Sequence, residues 1–209
     1  MNIKTLMKPL LKYENFKLKK QLVFDITSNM EVCGMECKGC YAIKAQKIFK
    51  NTKLYRDRQL KASKSYAFPD LICSELKRYE AALQTIRIKE RIVRIHSSGE
   101  FYSNEYINKW IDIAKRNPNW TFYAFTKRIE EFPLTMPKLM KLPNMFITNS
   151  LYEDKINYSK SGDGYRKDGT KIFTCPATVS KDVKCSPDEC TWCYQKDGSC
   201  ENGVWFKQH

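Results

Sequence analysis

Apolar residues follow two different spacings along the first 150 positions. Short runs rich in β-branched and aromatic residues, typical of buried strands, occupy residues 22–27, 91–97, 121–126 and 145–150. Between them, apolar side chains return every three or four residues over residues 68–86 and between a capping Ser103 and a terminating Pro118, which predicts two helices with one buried face. A shorter helical stretch covers residues 137–142. Strands that alternate with helices predict an α/β fold with a parallel sheet and right-handed crossovers.

Residues 161–170 contain three glycines and no hydrophobic period, so they predict a linker between a body at residues 1–160 and a cysteine-rich tail at residues 171–209. With 209 residues and 42% hydrophobic content, the chain can bury one sizeable core. No apolar run reaches the length of a signal peptide or of a spanning helix. We therefore expect a cytoplasmic protein without a membrane partner.

Nine cysteines are too many for an ordinary cytoplasmic chain, and metal ligation explains them better than disulfides in a reducing compartment. Cys33, Cys37 and Cys40 form a C-x3-C-x2-C motif after the first predicted strand. Three thiolates on one loop can bind three irons of a 4Fe-4S cluster and leave the fourth iron open. Buried cysteines, or a zinc site completed from elsewhere in the chain, are the alternatives.

A strand followed by C-x3-C-x2-C and a helix resembles the radical S-adenosylmethionine (SAM) superfamily, in which the open iron binds the amino and carboxylate groups of SAM. The segment around Ser98, Gly99 and Glu100 is similar to the superfamily's Gly-Gly-Glu element, which holds the SAM amino group. The resemblance implies that Gly99 lets the backbone approach the ligand and that Glu100 accepts the hydrogen bond. A strand-to-helix turn with a solvated glutamate is the alternative.

The same resemblance implies a partial (β/α) barrel with a metal-binding extension. Gly39 occupies the position where the superfamily usually has an aromatic residue, and Tyr41 just beyond it would cover the adenine instead. Polar residues end the third and fourth predicted strands at the same rim; they are Thr126, Lys127, Arg128, Thr148, Asn149 and Ser150. Contact with SAM or the substrate is one interpretation of them, and polar residues that simply end a strand are the commoner alternative. Cys73 is expected to be a small core residue, and His96 a buried, hydrogen-bonded histidine.

Five cysteines crowd the last 35 residues: Cys175, Cys185, Cys190, Cys193 and Cys200. We favour the first four as one metal site, with Cys200 and His209 as alternate ligands. A tetrathiolate suits zinc or a second 4Fe-4S cluster, and the spacing does not separate them. The radical SAM resemblance favours iron-sulfur, because that superfamily often carries auxiliary clusters in a C-terminal extension.

The chain also resembles a group of small phage-encoded proteins. These proteins combine the cysteine triplet, a segment like RIHSSGEFYS, and a terminal cysteine cluster ending in V-x-F-x-x-H, which here is formed by residues 204–209. The resemblance implies a location in the host cytoplasm, and it says little about substrate.

Lys and Arg total 37 against 23 Asp and Glu, a net charge of +14 that favours polyanionic partners, with nucleic acid first and an acidic protein second. Between residues 38 and 64 there are nine basic residues and a single acidic one, Asp57. Aromatic side chains are interleaved with or adjacent to them, namely Tyr41, Phe49, Tyr55 and Tyr66. A nucleic-acid groove and a solvated helix face both explain this segment.

Three hypotheses follow. The first is a radical-SAM-like enzyme that acts on a nucleic acid or another anionic macromolecule. The second is a non-enzymatic iron-sulfur protein that binds nucleic acid or a host protein. The third is a binding module stabilised by zinc alone, which explains the tail well and the C-x3-C-x2-C loop poorly.

Overall fold

The computed structural model describes residues 8–13, 18, 20–35, 37, 40–82, 90–150, 156–158, 164–166, 171–175, 193 and 204–205. A five-stranded sheet organises most of this part. Its strands, in spatial as well as chain order, are β1 (Lys12–Tyr13), β2 (Leu22–Phe24), β3 (Ile92–Ile95), β4 (Thr121–Thr126) and β5 (Met145–Asn149). β2 to β5 run parallel, and β1 pairs antiparallel with β2. Within the described ranges the sheet is open, and no pairing closes it into a barrel.

Helices connect these strands and cover one side of the sheet. They are α1 (Met30–Cys33), α2 (Tyr41–Ile48), α3 (Lys50–Lys64), α4 (Phe68–Ala82), α5 (Asn104–Arg116) and α6 (Met136–Met140). The Ser103 hydroxyl caps α5 as predicted, because it accepts a hydrogen bond from the Tyr106 N–H at 3.1 Å. None of the helices in the described ranges is long and apolar enough to cross a bilayer.

The main core lies between the sheet and α4, α5 and α6. Phe24, Ile95, Ala124 and Ile147 are successive register partners on β2 to β5, so their side chains share the face that these helices cover. Trp110 of α5 is fully buried, with its ring centroid 5.5 Å from that of Phe24. Burying one large apolar side chain contributes about 1.5–3 kcal/mol, so this interface supplies much of the folding free energy.

The opposite face of the sheet carries a second, smaller cluster. Arg94 and Tyr123 are register partners on this face, and the Arg94 guanidinium carbon lies 4.3 Å from the Phe125 ring centroid. Cys175 and Cys193 pack against the same cluster. Two tail residues therefore contact the face that α4 and α5 leave uncovered.

The α/β class, the four predicted strands and the predicted helices are confirmed, with differences at the boundaries. β2 ends at Phe24 rather than at residue 27, because Asp25 begins a loop of side-chain hydrogen bonds. α4 is described to Ala82, and the predicted helical turn beyond it lies outside the described residues.

Short strands occur in places where the sequence predicted none. β1 was not predicted, and residues 164–166 of the predicted linker form β7 (Gly164–Arg166). β7 pairs with β6 (Ile156–Tyr158) and β8 (Lys171–Thr174), and β8 pairs with β9 (Val204–Trp205).

Candidate functional site

Three loops meet at the carboxyl ends of β2, β3 and β4. The Ser98 hydroxyl donates to the Ile26 carbonyl at 3.0 Å, which joins the loops after β2 and β3. The Thr126 hydroxyl donates to Glu100 Oε2 at 2.6 Å, which joins the loops after β3 and β4. Ligands of parallel sheets sit at this edge. The structure thus brings the cysteine loop and the Ser98–Gly99–Glu100 segment to one edge.

The cysteine loop is anchored by Arg128, just after β4. Gly34, with φ of +68°, ends α1 in the left-handed conformation. Arg128 Nη1 donates to the Val32 carbonyl at 2.7 Å, and a Cβ on Gly34 would lie 3.0 Å from the Arg128 guanidinium carbon. The backbone on the Cys33 side of the loop is therefore held against the end of β4.

All three loop thiols are partly exposed and close enough to influence one another electrostatically. Burial raises the pKa of Cys33, and the charges of Glu100, Cys40 and Cys37 raise it further. Lys127 supplies the opposite charge, because its Nζ lies 3.2 Å from Cys37 Sγ. Glu100, Cys37 and Cys40 therefore all lie near Cys33, with the Lys127 ammonium group beside them.

No set of three or more His, Cys, Asp or Glu side chains in the described ranges is arranged to hold a metal ion. That result concerns ligands that converge on one ion, whereas each thiolate of a 4Fe-4S cluster binds a different iron. Cys33, Cys37 and Cys40 supply the right donor type on one loop, and metal binding would deprotonate them. Three thiolates on one loop could therefore serve an iron-sulfur cluster, or a zinc site completed from elsewhere in the chain.

Glu100 is buried directly beside this loop. Its Oε1 accepts the Lys127 backbone N–H at 3.2 Å, and its Oε2 accepts the Thr126 hydroxyl at 2.6 Å. Burial raises the pKa of Glu100, while these two hydrogen bonds oppose the rise. A carboxylate has about four lone-pair sites, so Glu100 keeps capacity for another donor.

Ser98 and Gly99 are bonded within the protein. The Ser98 N–H donates to Asp25 Oδ1 at 2.9 Å, and the Gly99 N–H donates to Ser28 Oγ at 3.0 Å. Gly99 has φ of +94°, and a Cβ there would lie 2.3 Å from Ile26 Cγ1. The close approach that requires glycine is therefore an approach to Ile26, whereas the sequence suggested an approach to a ligand.

Tyr41 and His96 occupy opposite environments near this edge. The Tyr41 hydroxyl donates to the Ser97 carbonyl, while the residue as a whole is 60% exposed. His96 is buried, and its Nε2 lies 2.7 Å from the Tyr106 hydroxyl oxygen. Burial lowers the pKa of His96 to about 3, so the ring is neutral at physiological pH. The prediction of a buried, hydrogen-bonded histidine is confirmed.

Cys73 also lies where the sequence suggested. It is buried in the main core, and its sulfur accepts a hydrogen bond from Asn117 Nδ2 at 3.1 Å. At the rim, Thr148 is buried, and the Ser150 N–H donates to the Thr126 carbonyl at 2.8 Å, which continues the pairing of β4 with β5.

Sequence reasoning missed the polar side chains that fasten α2 and α3 to the site. Gln46 Oε1 accepts the Ser28 N–H at 2.9 Å, and Gln46 Nε2 donates to the Ser28 carbonyl at 3.1 Å. Arg56 is buried and donates to the Ala42 carbonyl at 2.9 Å. These inward-facing groups were missed because the many lysines around them indicate a solvent-exposed helix. Asp25 was also missed, although an acid within an apolar strand pattern was a usable signal.

Of the predicted tail ligands, the structure describes Cys175 and Cys193, both partly exposed and both packed on the second cluster. The other predicted or alternate ligands, Cys185, Cys190, Cys200 and His209, lie outside the described residues. The four-cysteine tail site therefore stays a prediction.

Comparison with known proteins identifies the family. The model of the family described as Gene product 88 matches residues 4–172, which is most of the chain. The chain belongs to this family. The family consists of phage-like gene products, and its match includes the cysteine loop and Glu100 but ends before Cys175. No curated protein and no solved structure matches the chain.

Proposed function

We propose that Cys33, Cys37 and Cys40 hold a 4Fe-4S cluster and that this protein is an iron-sulfur protein of the radical SAM type. The observation that carries the proposal is the placement of the three thiols, Glu100 and Lys127 at one edge of a parallel sheet. The spacing in the sequence indicates only that the three thiols lie on one loop. It does not indicate that Glu100, which is 60 or more residues away in the chain, lies beside them.

A reduced cluster of this kind would supply an electron to SAM held at its open iron. The residues of the chain bind and orient the ligand. Glu100 would accept a hydrogen bond from the SAM ammonium, and the Thr126 hydroxyl and Lys127 N–H fix the carboxylate in position for it. The exposed ring of Tyr41, tied to the Ser97 carbonyl by its hydroxyl, would cover the adenine.

The arrangement of layers supports a partial (β/α) barrel. α4, α5 and α6 all pack on one face of the sheet, as the outer helices of such a barrel do. The other face carries Arg94, Tyr123 and Phe125 and would form the inner wall. Cys175 and Cys193 lie on that wall, which is where a tail cluster, iron-sulfur or zinc, would border the substrate side.

One observation favours a non-enzymatic alternative. The backbone N–H groups of Ser98 and Gly99 are already paired with Asp25 and Ser28, and both Glu100 oxygens accept internal hydrogen bonds. This network stabilises the loop edge without any ligand. In this second function an iron-sulfur or zinc site would stabilise a binding protein, located in the host cytoplasm, whose partner is a nucleic acid or a host protein.

Metal content tests the cluster. Protein purified without oxygen should contain iron and sulfide, absorb broadly in the visible range and give a paramagnetic signal after reduction. Cys37→Ala should lose these signals because it removes one of three iron ligands, and Cys73→Ala should keep them because Cys73 lies in the core. Wild-type protein that contains only zinc would contradict the proposal.

SAM turnover separates the enzyme from the alternative. Dithionite-reduced protein should convert SAM to 5'-deoxyadenosine and methionine. A charge-assisted hydrogen bond contributes roughly 1.5–3 kcal/mol, so Glu100→Gln should weaken SAM binding about tenfold to a hundredfold. The exposed Glu130→Gln makes the same charge change and should have no effect. If wild-type protein with a reduced cluster neither binds nor cleaves SAM, the non-enzymatic function takes its place.

A further inference from the structure

The structure divides the basic residues of residues 41–64 into two groups. Some are engaged within the protein: Arg56 with Ala42, Arg58 with Pro9, Lys53 with Asp57 and Lys64 with Glu31. The second group is Lys44, Lys47, Lys50 and Lys61, all of them exposed. Lys44, Lys47 and Lys50 are exposed and have no ion pair with any acid of the described ranges. We call these three residues the lysine face.

Exposed aromatic side chains stand at both ends of the lysine face. Tyr41 begins α2 and is 60% exposed, and Phe49 follows its last residue and is 59% exposed. The eight residues of α2 span about 12 Å at the helical rise of ~1.5 Å per residue. An open depression of about 540 Å³ lies on this surface, and its lining includes Lys47 and Lys50 but neither aromatic residue.

Among the residues that the structure describes, no acid forms an ion pair with the lysine face. Neither α2 nor α3 has an acidic residue in its first turn, and α3 begins with Lys50 at its positively polarised N-terminus. Like charges placed together in this way repel one another unless an anion lies among them. A polyanion is thus the partner that relieves the repulsion.

We propose that the lysine face and the neighbouring Phe49 bind single-stranded nucleic acid, the lysines by phosphate contacts and Phe49 by stacking on a base. Unpaired bases expose their ring faces, whereas an acidic protein offers carboxylates and no equivalent surface for stacking. Charge together with aromatic side chains therefore favours a nucleic acid over an acidic protein.

This inference rests on the proposed function and gives its substrate class. Cys40 is the N-cap of α2, so Lys44 and Lys47 stand about 6 and 10 Å further along the same helix axis. A strand bound on the lysine face would lie beside the cysteine loop. Nucleic acid would then be the substrate of the proposed enzyme or the partner of the non-enzymatic protein.

Fluorescence anisotropy with a labelled 20-nucleotide oligo-dT, titrated at several salt concentrations, tests the proposal. Each phosphate contact on a single strand contributes about 0.7 to the slope of log K against log salt, so Lys44→Ala, Lys47→Ala and Lys50→Ala together should reduce the slope by about 2. Affinity near 0.1 M salt should fall roughly a hundredfold. The matched control combines Lys77→Ala, Lys115→Ala and Lys138→Ala, which removes the same charge from exposed positions elsewhere and should leave the slope unchanged.

Stacking makes a separate prediction. Phe49→Ala should weaken binding about five- to a hundredfold and leave the salt slope as it is, because stacking releases no counterions. Melting temperatures of all variants should match that of wild type, since the substituted side chains are exposed.

Four results would overturn the proposal. They are no binding at low salt, an equal loss in the control triple variant, equal affinity for a duplex of the same length, and binding to anionic lipid vesicles but not to oligo-dT. The titration needs neither a reduced cluster nor SAM. A colourless protein that still binds oligo-dT through the lysine face would contradict the cluster proposal alone, and a brown protein that fails to bind would contradict this inference alone.

Discussion

Arg128 joins the end of β4 to the cysteine loop, and Arg128→Met tests whether this contact holds the loop in place. Methionine retains an apolar stem that can pack on Phe132, which lies 5.2 Å from the Arg128 guanidinium carbon. It removes the donor to the Val32 carbonyl and the ion pair with Glu131 at 2.6 Å. The substitution therefore separates hydrogen bonding from packing.

The expected loss follows from these contacts. A hydrogen bond from a charged donor contributes about 1.5–3 kcal/mol, and the Val32 carbonyl would be left unpaired in a buried position. The Glu131 carboxylate is 44% exposed, so its ion pair adds only about 0–1 kcal/mol. The variant no longer buries the Arg128 charge, and the desolvation penalty that is avoided offsets part of this loss. We expect the free energy of unfolding to fall by about 2–4 kcal/mol, a large fraction of the ~5–15 kcal/mol of a typical domain.

Two measurements check this prediction. Denaturant unfolding gives the free energy, and mass spectrometry after brief alkylation reports whether the loop thiols become more reactive than in wild type. Glu131→Gln is the control, because it removes only the exposed partner. If Glu131→Gln lowers stability as much as Arg128→Met, or if Arg128→Met changes neither quantity, Arg128 does not anchor the loop.

Two further predictions concern the segment after β3. His96 has its pKa lowered to about 3 by burial, so below its ordinary value of 6.5 the unfolded chain binds a proton that the folded chain does not. Denaturant unfolding should therefore show the free energy of unfolding fall by about 2 kcal/mol between pH 7 and pH 5. His96→Asn should remove that part of the pH dependence. Asparagine is chosen because it tolerates the positive φ of +60° at this position. Gly99→Ala should lower the free energy of unfolding by more than about 2 kcal/mol, because the added Cβ would clash with Ile26 Cγ1. In the double variant with Ile26→Ala, the loss of stability should be smaller than the sum of the two single losses. Additive losses would show that Ile26 is not the obstacle.

The four parallel strands, β2 to β5, could be predicted because each is a short hydrophobic run that is recognisable from its own residues. The run at residues 121–126 is mainly apolar on both faces, and the run at residues 145–150 begins with three apolar residues; such runs are typical of strands in a parallel sheet. β1 could not be predicted in the same way. It has two residues, one of them exposed, and it is held near the core by an acid far away in the chain, since Glu75 accepts the Leu10 and Leu11 N–H groups at 2.6 and 2.8 Å.

The candidate site was predictable in its residue types but not in its supporting contacts. The C-x3-C-x2-C spacing and the position of Glu100 after a strand are both visible in the sequence. Gln46 and Arg56 could not be identified as site residues from the sequence. In a helix with many lysines, nothing in the spacing distinguishes a polar residue that faces inward from one that faces solvent. Their roles depend on which face of α2 and α3 meets the loop, and tertiary packing decides that orientation.

These supporting contacts bear on how metal binding and folding are coupled. The backbone that leads into the cysteine loop is held by Gln46 at Ser28 and by Arg128 at Val32, and neither contact needs a metal. A loop whose backbone is already positioned would lose less conformational entropy on binding a cofactor, so it would bind the cofactor more tightly. The fold of the body would not depend on that binding. The body should therefore stay folded when the loop metal is removed. For the tail we propose the opposite, because a segment poor in apolar residues would need a bound metal in order to fold. Chelation that unfolded the body together with the tail would show that the loop, too, is organised by its metal.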